Sequence, residues 1–395
     1  MIPKYRARFN AEFSPEKYAE LFADLKQKSG TDAAFRVAES PVFLTMDFKA
    51  KLQEACDSII TQIKEMPAEE LRKAIPQSEM VPNDTLQPHF FTIDFGICTN
   101  ADGEVVPQLI ELQAFPTLYS FQKELQNSFI KIYPFLEELK PKISDEAYYA
   151  DLKELIVGDE NPENVIILEI YPEKQKTLID FLLTGKKLGI KTVCLTKVNK
   201  SGRKLYYDNN GRQTEIKRIY NRVIFDELSR IPDLKLAFDF RDELDVKWVT
   251  HPNWFFKISK FLLPKLNHQY VPTSYFLNEF PDKANLEEFV LKPLFSFAGS
   301  GVNLNPTAED LRRIDDPENY ILQKKVSYAP LFEDTEGNFS KAEIRLLYIW
   351  KENEERPILM EHLVRLTKAA MVNVDFNKKD AIWIGGSTAY FAEGS

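Results

Sequence analysis

The sequence predicts an α/β protein made of several parts. Three observations carry this. A strand–helix–strand pattern over residues 165–168, 174–188 and 191–195, with a glycine stop at Gly189, reads as a parallel strand pair joined by a right-handed crossover. Apolar strands bearing isolated polar residues recur at 90–95, 107–113, 289–293, 320–323 and 341–350. The first eighty residues or so carry helical spacing instead.

Length and composition bound the reading. At 395 residues the chain has room for two or three domains of ~100–200 residues each. Its 44% apolar and 28% charged residues are those of an ordinary globular protein. A formal charge of −9 argues against a general nucleic-acid binder and leaves room for a local basic pocket that receives a small polyanion. Cys56, Cys98 and Cys194 lie too far apart for a disulfide framework or a zinc pattern, so a reducing cytoplasm is expected. The N-terminus lacks the apolar core of a signal peptide, and no apolar run approaches the ~18 residues of a membrane span.

In chain order, Ser14-Pro15-Glu16 is a helix start with proline in the first turn, and residues 50–66 hold apolar side chains at helical spacing. At Phe90-Phe91-Thr92-Ile93-Asp94-Phe95 the pattern becomes an apolar strand with one acid, closed by a turn at Asn100-Ala101-Asp102-Gly103. In the partner strand, 107–113, Glu111 and Gln113 project to one face while Ile110 and Leu112 face the core. A carboxylate beside an amide oxygen is a half-shell for Mg2+, although the same pair on an exposed sheet face would simply be solvated. Residues 119–156 are helical with a break at Tyr133-Pro134. After the strand–helix–strand unit come a hairpin turn at 206–211 and a strand over 216–225 bearing Arg218 and Arg222.

Residues 289–326 carry the clearest chemistry. A short strand with one lysine, Phe289-Val290-Leu291-Lys292-Pro293, enters the small-residue loop Ser296-Phe297-Ala298-Gly299-Ser300-Gly301 and a second strand, Val302-Asn303-Leu304. A third apolar run, Tyr320-Ile321-Leu322-Gln323, ends on Lys324-Lys325-Val326. Glycines let backbone N–H groups approach an anion, and a lysine at the stem supplies a compact positive charge, which together suit phosphate. A glycine hairpin beside a solvated lysine has the same sequence. Neither a Walker loop nor G-x-G-x-x-G is present. Upstream, a helix from Trp254 puts Lys257 and Lys260 on one face. Downstream, alternation over 341–350 puts Glu343 and Arg345 on one face, and a strand at 358–360 leads to Arg365-Leu366-Thr367-Lys368. The pair Gly385-Gly386 is either a second approach to phosphate or a turn. No Ser/His/Asp or Cys/His set is evident, and the four histidines have no metal spacing.

In this order the pieces resemble an ATP-grasp ligase in its circularly permuted form, as in eukaryotic-type glutathione synthetase and the glutathionylspermidine synthase relatives, over about residues 90–390. Val290-Leu291-Lys292-Pro293 is similar to the family's phosphate-lysine strand, and Ser296 to Gly301 to its glycine-rich lid. The run from Tyr320 to Val326 resembles the adenine hinge Tyr-Ile-Leu-Met-Glu-Lys-Ile, the most specific match. Val364-Arg365-Leu366-Thr367-Lys368-Ala369 is similar to Leu-Leu-Arg-Thr-Lys-Ala with one residue inserted, and Glu111-Leu112-Gln113 to the Glu-x-Asn metal strand.

The resemblance implies a permuted ATP-grasp core with a small inserted α/β substrate domain. Its parts would be an N-terminal helical region (1–85), a first core part with the metal strand (86–150), the α/β substrate domain (151–250) and the ATP-binding part (251–395). It implies ATP- and Mg2+-dependent joining of a small-molecule or peptide carboxylate to an amine through an acyl phosphate, with no nucleic-acid or membrane partner. Lys260, Lys292, Ser296, Gly299, Ser300, Gly301, Gln323, Lys325, Val326 and Glu343 would hold the nucleotide, and Glu111 with Gln113 the metal. Arg345, Arg365 and Lys368 would steady the transferring phosphoryl. Two positions depart from the family: Gln113 stands where it has Asn, and Ala298 sits near the place of its loop acid. A nucleotide-binding protein of the same fold that has lost metal chemistry is the alternative.

Overall fold

The computed structural model describes residues 2–225, 228, 230, 231, 234–296, 300–369 and 382–394. In chain order, α1 (Pro3–Glu12) and α2 (Pro15–Ser29) precede β1 (Val42–Thr45), α3 (Met46–Glu65) and the short α4 (Ala68–Arg72). A hairpin of β2 (Phe90–Thr99) and β3 (Val105–Ala114) leads to α5 (Tyr119–Ile132) and α6 (Asp145–Ile156). The middle of the chain forms β4 (Val165–Glu169), α7 (Leu178–Leu188), β5 (Lys191–Cys194), β6 (Asn199–Ser201), β7 (Lys204–Asn209), β8 (Arg212–Ile216), β9 (Arg218–Asn221) and β10 (Lys247–Val249). The last part holds β11 (Ser274–Phe276), β12 (Phe289–Pro293), β13 (Tyr320–Lys324), β14 (Phe332–Glu333), β15 (Phe339–Ile349), β16 (Ile358–Thr367) and β17 (Gly385–Ala392).

Among the described residues these strands make four sheets in a mixed α/β architecture. The largest runs β1-β17-β16-β15-β2-β3, antiparallel throughout except for the parallel pair β1 and β17, with β14 beside β15. A parallel sheet, β10-β9-β4-β5, contains the expected strand–helix–strand unit. A small antiparallel sheet, β11-β13-β12, and the meander β6-β7-β8 complete the set.

Alternation decides what the large sheet buries. On β2, Phe91, Ile93 and Phe95 join a core with Phe48, Leu52, Ala55 and Ile59 of α3, so Phe90, Thr92 and Asp94 face the other way. That second face starts as an apolar layer, where Phe90, Leu347, Ile349 and Leu363 pack with Tyr119 and Tyr220, and then turns polar toward Asp94.

Several expectations change. The N-terminal segment is largely helical, with Ser14 capping α2 and a left-handed Gly30 ending it, but it also lends β1 to the large sheet. The strand expected at Val302-Asn303-Leu304 shrinks to a single bridge, Asn303 to Leu291, because Asn303 Oδ1 captures the Asn305 N–H and Pro306 has none to give. The strand expected at 358–360 runs on through Thr367, so Arg365 is a strand residue. Gly385 and Gly386 are neither a turn nor a free anion cradle: they open β17 against the chain's own backbone, with Gly386 N–H donating to Arg36 O at 2.9 Å and Ala38 N–H to Gly386 O at 2.8 Å. The loop residues Phe297, Ala298 and Gly299 lie outside the described residues.

Candidate active site

The site begins with an irregularity in β3. Asp94 lies opposite Glu111, but Phe95 lies opposite Leu109, which leaves Ile110 as an extra residue. A bulge of this kind takes residues out of the ladder and re-aims the strand. Ile110 is therefore only half-buried, and Leu109 and Leu112 fill the core in place of the expected Ile110 and Leu112. The small sheet docks on the carbonyls at this bulge. Gln323 Nε2 donates to Leu109 O at 3.1 Å, Lys292 Nζ donates to Ile110 O at 3.1 Å, and Lys292 Nζ also donates to Gln323 Oε1 at 2.5 Å.

Lys260 arrives by a broken helix. The turn Trp254–Lys257 ends where Ile258 leaves helical geometry, and the Ser259 hydroxyl accepts the Phe261 N–H to open a 3-10 segment, Lys260–Lys265, that accommodates Pro264. Lys257 and Lys260 consequently do not share a helical face. Lys257 pairs with Asp84 at 2.5 Å and lies over the Trp254 ring, whereas Lys260 donates to Ser296 O at 2.9 Å and comes within 3.5 Å of Glu111.

Pairing of β3, β2, β15 and β16 brings Asp94, Gln113, Glu343, Arg345 and Arg365 to the same face. Asp94, fully buried, accepts from Arg345 at Nε (2.8 Å) and Nη2 (2.6 Å) and from Arg365 Nη2 (2.8 Å). Arg365 Nη2 also donates to Glu343 Oε2 at 2.8 Å, and the Tyr328 hydroxyl donates to Glu343 Oε1 at 2.5 Å. Arg345 Nη2 reaches Gln113 Oε1 at 3.1 Å, and Gln113 Nε2 donates to Glu111 Oε1 at 2.6 Å. Glu111, Gln113, Lys260, Lys292, Gln323, Glu343, Arg345 and Arg365 thus form one continuous cluster.

Burial and charge oppose each other throughout it. Burial pushes the Lys292 ammonium down to about 8, with Glu111 resisting and Lys260 assisting. Burial alone would raise the Glu111 carboxyl, but Lys260, Arg365, Arg345 and Lys292 hold it below its ordinary value. Glu343 moves the other way, raised by burial despite Arg365 and Tyr328. Arg365 stays firmly charged, because Glu343, Asp94 and Glu111 outweigh its burial. Two polar atoms in the cluster, Arg365 Nε and Ser296 Oγ, are buried without a hydrogen-bond partner among the described residues, a cost that a ligand could relieve.

The remaining expected residues lie apart or at the margin. Lys325 is exposed, donating to Glu287 O at 2.7 Å and Asn305 Oδ1 at 3.1 Å, and Val326 follows it half-buried. Lys368 pairs with Asp334 at 2.5 Å. Ser300 is an exposed turn residue, and Gly301 has φ +73° with Pro293 so close that a Cβ would lie 2.9 Å from its Cγ. Gly299 is outside the described residues. Sequence reasoning gave no role to Asp94 or Tyr328, although Asp94 stands out as the one acid in the apolar run 90–95.

The donor set suits an anion better than a resident metal. Lys260 and Lys292 are buried cations, as phosphate oxygens require. For Mg2+ the fit is poor: Glu111 and both ends of the Gln113 amide are already engaged, and the described residues contain no group of three or more His, Cys, Asp or Glu side chains that could hold an ion. The cavity among Gln113, Lys260 and Ser296 measures about 20 Å³, space for one water. A phosphate is larger than this cavity.

No protein-family model and no curated protein matches this chain. Among solved structures it is similar to a glutathione synthetase-like effector from Globodera pallida in its apo form, with a TM-score of 0.61 and 11% identity over 96% of this chain and 98% of that one. At that identity the likeness is one of fold. The chain has a mixed α/β fold similar to that of a glutathione synthetase-like protein.

Proposed function

We propose that the chain is an ATP-dependent carboxylate–amine ligase of the permuted ATP-grasp type, with the parts 1–85, 86–150, 151–250 and 251–395 in the roles the resemblance implies. The observation that carries this reading is the meeting of Lys260, Lys292, Arg345 and Arg365 around Glu111, from stretches of sequence 149 to 254 positions away from it. Lys260 and Lys292 would take the phosphate oxygens, while Gln323, Lys325 and Val326 would flank the base. Arg345 and Arg365, aligned by Asp94, would neutralise charge on the phosphoryl group as it passes to the carboxylate, and Arg365 Nε would gain the acceptor it lacks. The amine would then displace phosphate from the acyl phosphate. Because Glu111 and Gln113 do not make a metal cage, no step is assigned to an ion held by the protein.

The engagement of Glu111 and Gln113 by their neighbours, together with the closed docking of β12 and β13 on β3, also favours a second reading, a nucleotide-binding protein without turnover. One experiment separates them. The protein is incubated with ATP, Mg2+, hydroxylamine and a panel of amino-acid and peptide carboxylates, and ADP and hydroxamate are followed together. Hydroxamate formed in step with ADP and lost in Lys292→Met supports the ligase. Calorimetric ATP binding that Lys292→Met weakens, with no ADP formed, supports the binding protein, and absence of ATP binding refutes both.

A further inference from the structure

A cleft of about 820 Å³ opens between Phe225, Leu228 and residues 234–242 on one side and the turn that carries Phe255 and Phe256 on the other. It lies next to the charged cluster without belonging to it: Phe255 and Phe295 line both this cleft and the small cavity beside Gln113, Lys260 and Ser296. Its apolar wall is dominated by six phenylalanines, Phe225, Phe238, Phe240, Phe255, Phe256 and Phe295. Their rings form a continuous series, with centroids 5.4 Å apart from Phe238 to Phe240, 5.2 Å from Phe240 to Phe225, 6.0 Å from Phe225 to Phe256 and 5.1 Å from Phe256 to Phe295.

The charged lining is acidic. Glu79, Asp239 and Asp242 face one cation, Arg241. That guanidinium is already held, donating from Nε to Asp239 Oδ1 at 2.7 Å and from Nη1 to Ser78 O at 2.9 Å, and Asp242 pairs with Lys200 at 2.6 Å. Glu79 makes no ion pair among the described residues and accepts only from the Ser78 hydroxyl at 3.3 Å. Aromatic faces present negative potential, and the Glu79 carboxylate, which acts on Arg241 only from beyond ion-pair distance, adds to it, so a cation is attracted and an anion repelled. The volume lies within the range of small-molecule sites.

We propose that this cleft binds an organic cation with an aromatic or apolar body, the rings taking the body and Glu79 the charge. A neutral apolar ligand would use the rings but strip water from Glu79 with no return, and an anion would meet like charge. As a binding claim this goes beyond the ligase reading and stands whether or not the protein turns over.

The test is calorimetry on the full chain with phenethylamine and, as an anion of matched size, 3-phenylpropionate. Phenethylamine is expected to bind about tenfold more tightly, the scale of a partly desolvated cation over aromatic faces beside a carboxylate. Glu79→Gln, at a half-buried side chain outside the cores, should remove most of that preference. Phe238→Leu, which keeps apolar volume but removes a ring, should weaken the cation severalfold while hardly changing the anion. Absence of saturable phenethylamine binding in the millimolar range, equal affinity for the two probes, or a preference that survives Glu79→Gln overturns the proposal. So does sedimentation showing a dimer that Phe238→Leu dissolves, which would give the cleft to a second copy of the chain. Thermal unfolding of each variant confirms that it is folded, and Glu79→Gln decides the matter even if Phe238→Leu is not.

Discussion

Asp94 shows how a single buried carboxylate can organise a site. It accepts four hydrogen bonds from two arginines on the adjacent strands β15 and β16, so its charge holds both guanidiniums against one carboxylate. Asp94→Asn keeps the shape but halves the acceptor capacity and removes the countercharge, leaving two buried cations with less compensation. Urea unfolding should show a loss of about 3–5 kcal/mol, the usual scale for breaking one side of a buried pair. Lys292 makes a prediction of different sign. Its ammonium falls from the ordinary 10.5 to about 8 on burial, so between those values the unfolded chain holds a proton that the folded chain has released. Stability from this group therefore rises with pH through that window. Wild type should gain roughly 1–3 kcal/mol on Lys292→Met between pH 8 and 10 in paired urea titrations. Phosphate affinity in the same protein should move oppositely, weakening above pH 8.

At the level of elements, backbone geometry does what side chains do elsewhere. The bulge at Ile110 presents the two carbonyls on which β12 and β13 dock, and the start of β17 depends on a residue without a Cβ. Gly385 has φ +108°, and a Cβ there would lie 2.4 Å from Arg36 O. Gly30 is also left-handed, at φ +86°, but has nothing within 4 Å of the same position. Gly30→Ala should therefore cost only the backbone conformation, about 1 kcal/mol. Gly385→Ala should cost at least 2 kcal/mol more, roughly, because the β17 pairing with residues 36–38 must shift as well. Thermal melts of the two variants side by side check this; equal losses would mean that the close approach is relieved without cost.

Across the whole molecule, the two ends of the chain are tied together. β1 pairs in parallel with β17, and buried Arg6 lies over Phe9, Phe43 and Trp383 while donating to the Ser40 hydroxyl at 2.6 Å. Removing residues 2–45 would strip an edge strand from the large sheet, take Phe9 and Phe43 out of their core and uncover Phe121, Trp383 and Tyr390. The truncated chain is expected to bind a hydrophobic dye and to lose the cooperative melt of the full chain. A truncation that melts as sharply as the full chain would show that the N-terminal segment is an independent appendage.

By itself, the sequence determines what is local. Alternation with period two places Glu111 with Gln113, and Glu343 with Arg345, on shared faces, and the structure keeps both pairings because the side-chain direction in a strand depends on its own backbone. The strand–helix–strand unit is legible for the same reason, since its period and its Gly189 stop lie within thirty residues. The stretch 289–301 itself singles out Lys292, and the resemblance adds Lys260 and Arg365 as candidates, but neither gives a reason for Asp94. Tertiary structure alone decides that reason. Asp94 meets Arg345 across 251 positions and Arg365 across 271, contacts that exist only once the order β3-β2-β15-β16 is set. The bulge at Ile110 is likewise invisible until β2 is laid against β3, because an extra residue is extra only relative to a partner strand. The closed contact of Lys292 and Gln323 with β3 follows from how two sheets pack. Packing is a property of surfaces that come from distant parts of the chain, and no pattern within either stretch encodes the distance between them.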